Sequence, residues 1–123
     1  MIEKGDVLVI AKSMNTSLAL QLILIKKLSI DYAQTIEEGL EKLKKNNSFR
    51  LVILEQNRKE DELYFLSKLE IGFPDMPVIL SVTKKESSKL LANHPIIKDV
   101  IDGPILDEAM LKRKVYGVLG ING

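Results

Sequence analysis

The chain has no cysteine, no tryptophan and one histidine, and aromatic residues make up only 5% of its 123 positions. Without cysteine there can be no disulfide, no thiolate metal ligand and no thiol nucleophile. The lone histidine, His94, stands beside Pro95; by itself it makes neither a catalytic triad nor a metal site, and it reads as a turn residue. No glycine occurs between Gly5 and Gly39, so the first strand-to-helix turn has neither a G-x-G-x-x-G nor a Walker phosphate cradle. A large excess of either sign of charge is missing too: 18 Lys and Arg against 17 Asp and Glu leave a net +1. No global field is available to draw in nucleic acid or an anionic membrane. The most apolar stretch, Ser17 to Leu28, is shorter than the about 20 residues a bilayer-spanning helix needs. Met1 to Asp6 leads straight into a short strand rather than a signal-peptide core, so no secretory signal is expected and a cytoplasmic location is.

What is present is a regular alternation. Apolar runs of strand length occur at Val7 to Ala11, Ile30 to Ala33, Leu51 to Leu54, Val78 to Val82 and Ile96 to Ile101. Helical stretches follow them at about Thr16 to Leu28, Ile36 to Asn46, Glu60 to Leu69, Lys85 to Asn93 and Leu106 to Leu119. Runs this apolar belong to a parallel sheet covered on both faces. Thr35 with Glu38 three residues on can satisfy orphan amides at a helix start. Lys44-Lys45-Asn46-Asn47 suits the end of the same helix. Phe73-Pro74-Asp75-Met76-Pro77 reads as a turn, because prolines do not sit inside a central ladder. With no internal repeat, low-complexity tract or linker, residues 1–123 are expected to form one domain.

Five βα units of this size, joined by right-handed crossovers, predict an α/β, doubly wound, flavodoxin-like sheet of order 2-1-3-4-5. Its topological switch lies between the first and third strands. A ligand crevice is therefore expected at their carboxyl ends, lined by Ala11, Lys12, Ser13 and Glu55. Only Glu55 is acidic. Metal-assisted phosphoryl transfer to a carboxylate needs further carboxylates for the cation, whereas Ala11 offers a methyl group and Lys12 a positive charge. Neither metal nor phosphotransfer is expected. Two readings of Lys12 stay open: an ion pair with Glu55, worth roughly 4 kcal/mol gross at about 4 Å before desolvation, or a lysine extended into solvent.

Over essentially its whole length the chain resembles the receiver domain of two-component response regulators. The residues that carry the resemblance are Val7-Leu8-Val9-Ile10, Leu51-Val52-Ile53-Leu54, Met76-Pro77-Val78-Ile79-Leu80, Asp99 to Ile105 and Thr35-Ile36-Glu37-Glu38-Gly39-Leu40. The resemblance implies that the acidic pair of a receiver falls at Ala11 and Lys12 and its phosphoaccepting aspartate at Glu55. It puts the switch hydroxyl at Val82, between Ser81 and Thr83, the switch aromatic at Val100, and the lysine before proline at Gly103. It also implies a cis bond between Gly103 and Pro104. Every one of the chemical positions departs from the pattern. The expectation is a receiver-like module without its phosphorylation chemistry, not an enzyme, needing no cofactor and acting through protein-protein contact in a signalling pathway.

Two alternatives stand beside that reading. One is a working phosphoacceptor that uses Glu55 or another acid. The other is a nucleotide- or flavin-binding flavodoxin-like protein, with Ser13, Asn15, Thr16 and helix amides holding phosphate. As for surfaces, the first helical stretch is apolar nearly all round: Leu20, Ile23 and Leu24 fall outside the stripe of Leu18, Leu22 and Ile25 at about 100° per residue. They either pack on the last helix or form a patch for a partner or a second copy. Lys112-Arg113-Lys114 reads as a solvated basic face near a helix carboxyl end, and receivers often use the neighbouring surface for dimerisation. Direct binding of nucleic acid is not expected without a stacking platform or recognition helix, and no membrane contact is. The acids of Lys59-Glu60-Asp61-Glu62 point in different directions along a helix and read as its start, not as a metal site.

Overall fold

The computed structural model describes residues 6–11, 28–46, 48–55, 59–82, 96–102 and 108–120. Its strands are β1 (Val7–Ile10), β2 (Ile30–Ala33), β3 (Leu51–Glu55), β4 (Val78–Val82) and β5 (Ile97–Asp102). All pair in parallel, in the order β2-β1-β3-β4-β5. This is the flavodoxin-like order expected from the βα alternation, and it sets the carboxyl ends of β1 and β3 side by side.

Strand alternation divides the core in two. Leu8, Ile10, Val52, Leu54, Val78 and Leu80 face one layer, covered by the helices Ile36–Lys45 and Lys59–Gly72. Val7, Val9, Leu51, Ile53 and Ile79 face the other, where Leu111, Val115 and Tyr116 of the helix Glu108–Leu119 pack. Val7 to Ile10 of β1 and Leu51 to Leu54 of β3 are buried on both faces, which is why these strands read as continuous apolar runs rather than alternating ones.

Local signals set most boundaries. Thr35 caps the Ile36–Lys45 helix by accepting a hydrogen bond from the Glu38 amide (3.1 Å). At the other end Asn46 stops the helix in an extended conformation (φ −130°, ψ 112°). Its Oδ1 accepts from both the amide and the hydroxyl of Ser48, at 3.0 and 2.7 Å, a local turn that competes with further helix. The Lys59–Gly72 helix runs three residues beyond the expected end at Leu69. It stops where Phe73 meets Pro74, since the residue before proline is disfavoured in helical conformation. The expected turn follows, with the Met76 amide donating to the Phe73 carbonyl (3.0 Å). Leu28, expected to end the first helix, lies outside any helix and is buried in the second core, a difference within the usual uncertainty of helix ends.

One reading is corrected. Lys112-Arg113-Lys114 occupies the middle of its helix, and no basic residue stands in the last turn. Interaction with the helix dipole, which is confined to the terminal turns, does not account for the run. Nor is the run a solvated face throughout: Arg113 is exposed, but Lys112 and Lys114 are half-buried. Lys114 turns back onto the sheet, its Nζ 2.9 Å from Asp99 Oδ1.

Candidate functional site: the carboxyl ends of β1, β3 and β4

Register fixes the crevice. Ile10 pairs with Leu54, so Ala11, one residue further, stands beside Glu55. Glu55 pairs in turn with Ser81, and Ser81 with Ile101. By alternation these residues lie on the face that carries Val9, Ile53 and Ile79. The row across the strand ends is thus methyl, carboxylate, hydroxyl and alkyl. Ala11 is 3% exposed and Ser81 5%, while Glu55 is half-buried.

The backbone of Ala11 is committed as well. Its amide donates to the Ala33 carbonyl (3.0 Å), and its carbonyl accepts from the Tyr32 hydroxyl (2.9 Å). Tyr32 therefore reaches from the edge strand over to the end of β1 and gives the Ala11 carbonyl a donor. The sequence carries a signal for this contact. Tyr32 pairs with Val9 and shares its face, and a buried tyrosine needs a partner for its hydroxyl.

Chemically, this part of the rim presents one carboxylate, at Glu55. Among the described residues no group of three His, Cys, Asp or Glu side chains is placed to hold a metal ion. Glu55 could accept a hydrogen bond or an ion pair, but Ala11 supplies no second carboxylate for a divalent cation. Of the other expected positions, Val100 lies in β5, paired with Leu80, and Val82 ends β4. Arg113 is exposed and Lys112 half-buried on the last helix. Lys12, Ser13, Leu20, Ile23, Leu24, Thr83, His94 and the Gly103-Pro104 bond lie outside the described residues, so the Lys12 alternatives stay open. A groove of about 760 Å³ lies away from this rim, between Asp75 and Pro77, the start of β5 at Lys98, and Arg113 and Val118 of the last helix.

No family model matches the sequence, and no curated protein matches it. Solved structures do resemble it in fold. A response regulator receiver domain protein from Clostridium thermocellum superposes with a TM-score of 0.81 at 19% identity, over 94% of each chain. A two-component response regulator from Clostridium difficile gives 0.80 at 22% identity, over 95% of this chain and 97% of that one. The receiver domain of NtrX from Brucella abortus gives 0.81 at 20% identity, over 95% of this chain and all of that one (100%). The chain has the flavodoxin-like fold of response regulator receiver domains.

Proposed function

We propose that this chain is a receiver-like module of two-component signalling that is not phosphorylated and acts through protein-protein contact. The observation that carries the proposal is the end of β1. Where a receiver would need an acid against the phosphoacceptor, Ala11 stands beside Glu55, buried, with its amide and carbonyl both bonded inside the protein. A metal bridging the two strand ends would find no carboxylate at Ala11. Glu55 has one more methylene than an aspartate, which moves its oxygens outward from the strand end.

On this reading residues 1–123 are one domain in the cytoplasm, with no cofactor and no enzymatic activity of their own. The Val82, Val100 and Gly103 positions would have lost the groups that read out phosphorylation. Partners are proteins of the pathway or a second copy of the chain, engaged through faces such as Leu20, Ile23 and Leu24 or Lys112 and Arg113, and neither nucleic acid nor membrane is contacted directly. No helix among the described residues is long and apolar enough to cross a membrane.

The test is incubation with a small phosphodonor and magnesium, read by intact mass. No covalent change is expected. A gain of one phosphoryl group would refute the proposal, and its loss in Glu55→Gln would assign the group to Glu55.

A further inference from the structure

Each open edge of the sheet carries the same polar device. On β2, Asp31 Oδ1 accepts from the amide of the next residue, Tyr32 (2.8 Å), and from Lys42 Nζ (2.8 Å). Lys42 Nζ also donates to the Tyr32 carbonyl (2.8 Å). On β5, Asp99 Oδ1 accepts from the Val100 amide (2.8 Å) and from Lys114 Nζ (2.9 Å), while Lys114 Nζ donates to the Val100 carbonyl (2.9 Å). In both cases the lysine comes from the helix that follows the strand.

The residues so held are the outward-facing ones. The Ser29 and Ala33 carbonyls are bonded by the Val7 and Ala11 amides of the β1 segment, so by alternation Tyr32 turns its amide and carbonyl away from the sheet. Val100 is placed the same way on the opposite edge: its two backbone groups meet side chains rather than β4. These are the groups an added strand would need, because an edge strand's unpaired amides and carbonyls are a template for another chain. Space is not what closes the β5 edge, because the groove of about 760 Å³ lies against Asp99 and Lys114.

We propose that the Asp31–Lys42 and Asp99–Lys114 clasps close both edges of the sheet to a second copy of this chain, so that any partner must engage helix or loop surfaces. The inference rests on the clasps alone and holds whether or not the chain is a signalling module. An incoming strand would have to strip a lysine from both its carboxylate and a carbonyl, and would leave the aspartate's bond to the edge amide competing with it.

The test is Lys42→Met combined with Lys114→Met, which removes both ammonium groups and keeps the aliphatic stems. Lys44→Met with Lys68→Met, at two exposed lysines on helices rather than on either edge strand, controls for the same loss of charge. Sedimentation velocity over a concentration series is read together with amide hydrogen exchange, and circular dichroism confirms the fold. The clasp variant is expected to associate at a concentration at least about tenfold below wild type, with slowed exchange confined to β2 or β5, while the control pair matches wild type. If the double variant does not fold, Lys114→Met alone carries the test and should give a discrete dimer through β5. The proposal is overturned by a folded clasp variant that associates no more than wild type. Equal association of the control pair overturns it too, as does association that leaves exchange at both edges unchanged, or edge protection in the wild type that grows with concentration.

Discussion

Gly39→Ala tests how tightly the Ile36–Lys45 helix is set onto the end of β1. A β-carbon at Gly39 would lie 2.5 Å from Ile10 Cδ1 and 2.9 Å from Ile10 Cγ1, with the Ala33 β-carbon at 3.7 Å. Carbon atoms sit comfortably at about 3.5–4.0 Å, so the Ile10 side chain must retreat by about 1 Å. It has little room, being 3% exposed. Two effects oppose each other. Alanine gains about 1 kcal/mol over glycine inside a helix, and overpacking a filled core costs about 1–3 kcal/mol. Two close contacts with a buried side chain put the cost toward the upper part of that range, so a net loss of about 1 kcal/mol is expected in urea denaturation. Ile10→Val removes Cδ1, and in a double-mutant cycle it should recover about 0.5–1 kcal/mol of the loss. Gly39→Ala as stable as wild type, or a cycle with no coupling, would refute the steric argument. Because Ile10 directly precedes Ala11, the same variant should also loosen the crevice rim, read as faster exchange of the Ala11 amide.

Three further outcomes can be checked by denaturation. Tyr32→Phe leaves the buried Ala11 carbonyl without its hydroxyl donor and should cost about 1–2 kcal/mol; a loss within error would mean that another donor serves that oxygen. Thr35→Ala removes the acceptor for the Glu38 amide and should cost about 1 kcal/mol, with Thr35→Ser restoring most of it. Millimolar magnesium should leave the midpoint unchanged, whereas a site occupied at a hundredfold its dissociation constant would add about 2.7 kcal/mol.

The sheet was legible because its information is local and repeated. Five apolar runs with helical stretches between them leave few topologies for a parallel sheet, and the order observed is the expected one. The position of Glu55 beside Ala11 followed from that order alone. The polar contacts did not. Lys114 reads as surface because it closes the basic run Lys112-Arg113-Lys114, and only the β5 register brings Asp99 within reach across 15 positions of chain. Lys42 and Asp31 escaped for the same reason, separated by 11 positions. Tyr32 escaped because its hydroxyl crosses from one strand to the end of another. A helix-surface lysine and a sheet-edge lysine look identical in sequence, and the pairing partner, which depends on register and rotamer, separates them.

The frame and the crevice are energetically separable, so the fold stands whether or not the crevice carries phosphoryl chemistry. The two core faces are built from residues whose burial does not involve Glu55, and Ala11 adds apolar contact to one of them. Two carboxylates about 5 Å apart would repel by roughly 3 kcal/mol at an effective dielectric near 20, and a divalent cation is what relieves such repulsion. With Ala11 in one of those places the repulsion is absent. On the proposed reading, the same residue lessens the need for a cation and takes away one means of holding it. On the proposed reading, Glu55→Asp alone would not give this crevice metal-dependent chemistry. Ala11→Asp would be required as well, and that places a carboxylate at a position 3% exposed, where desolvation disfavours its charged form.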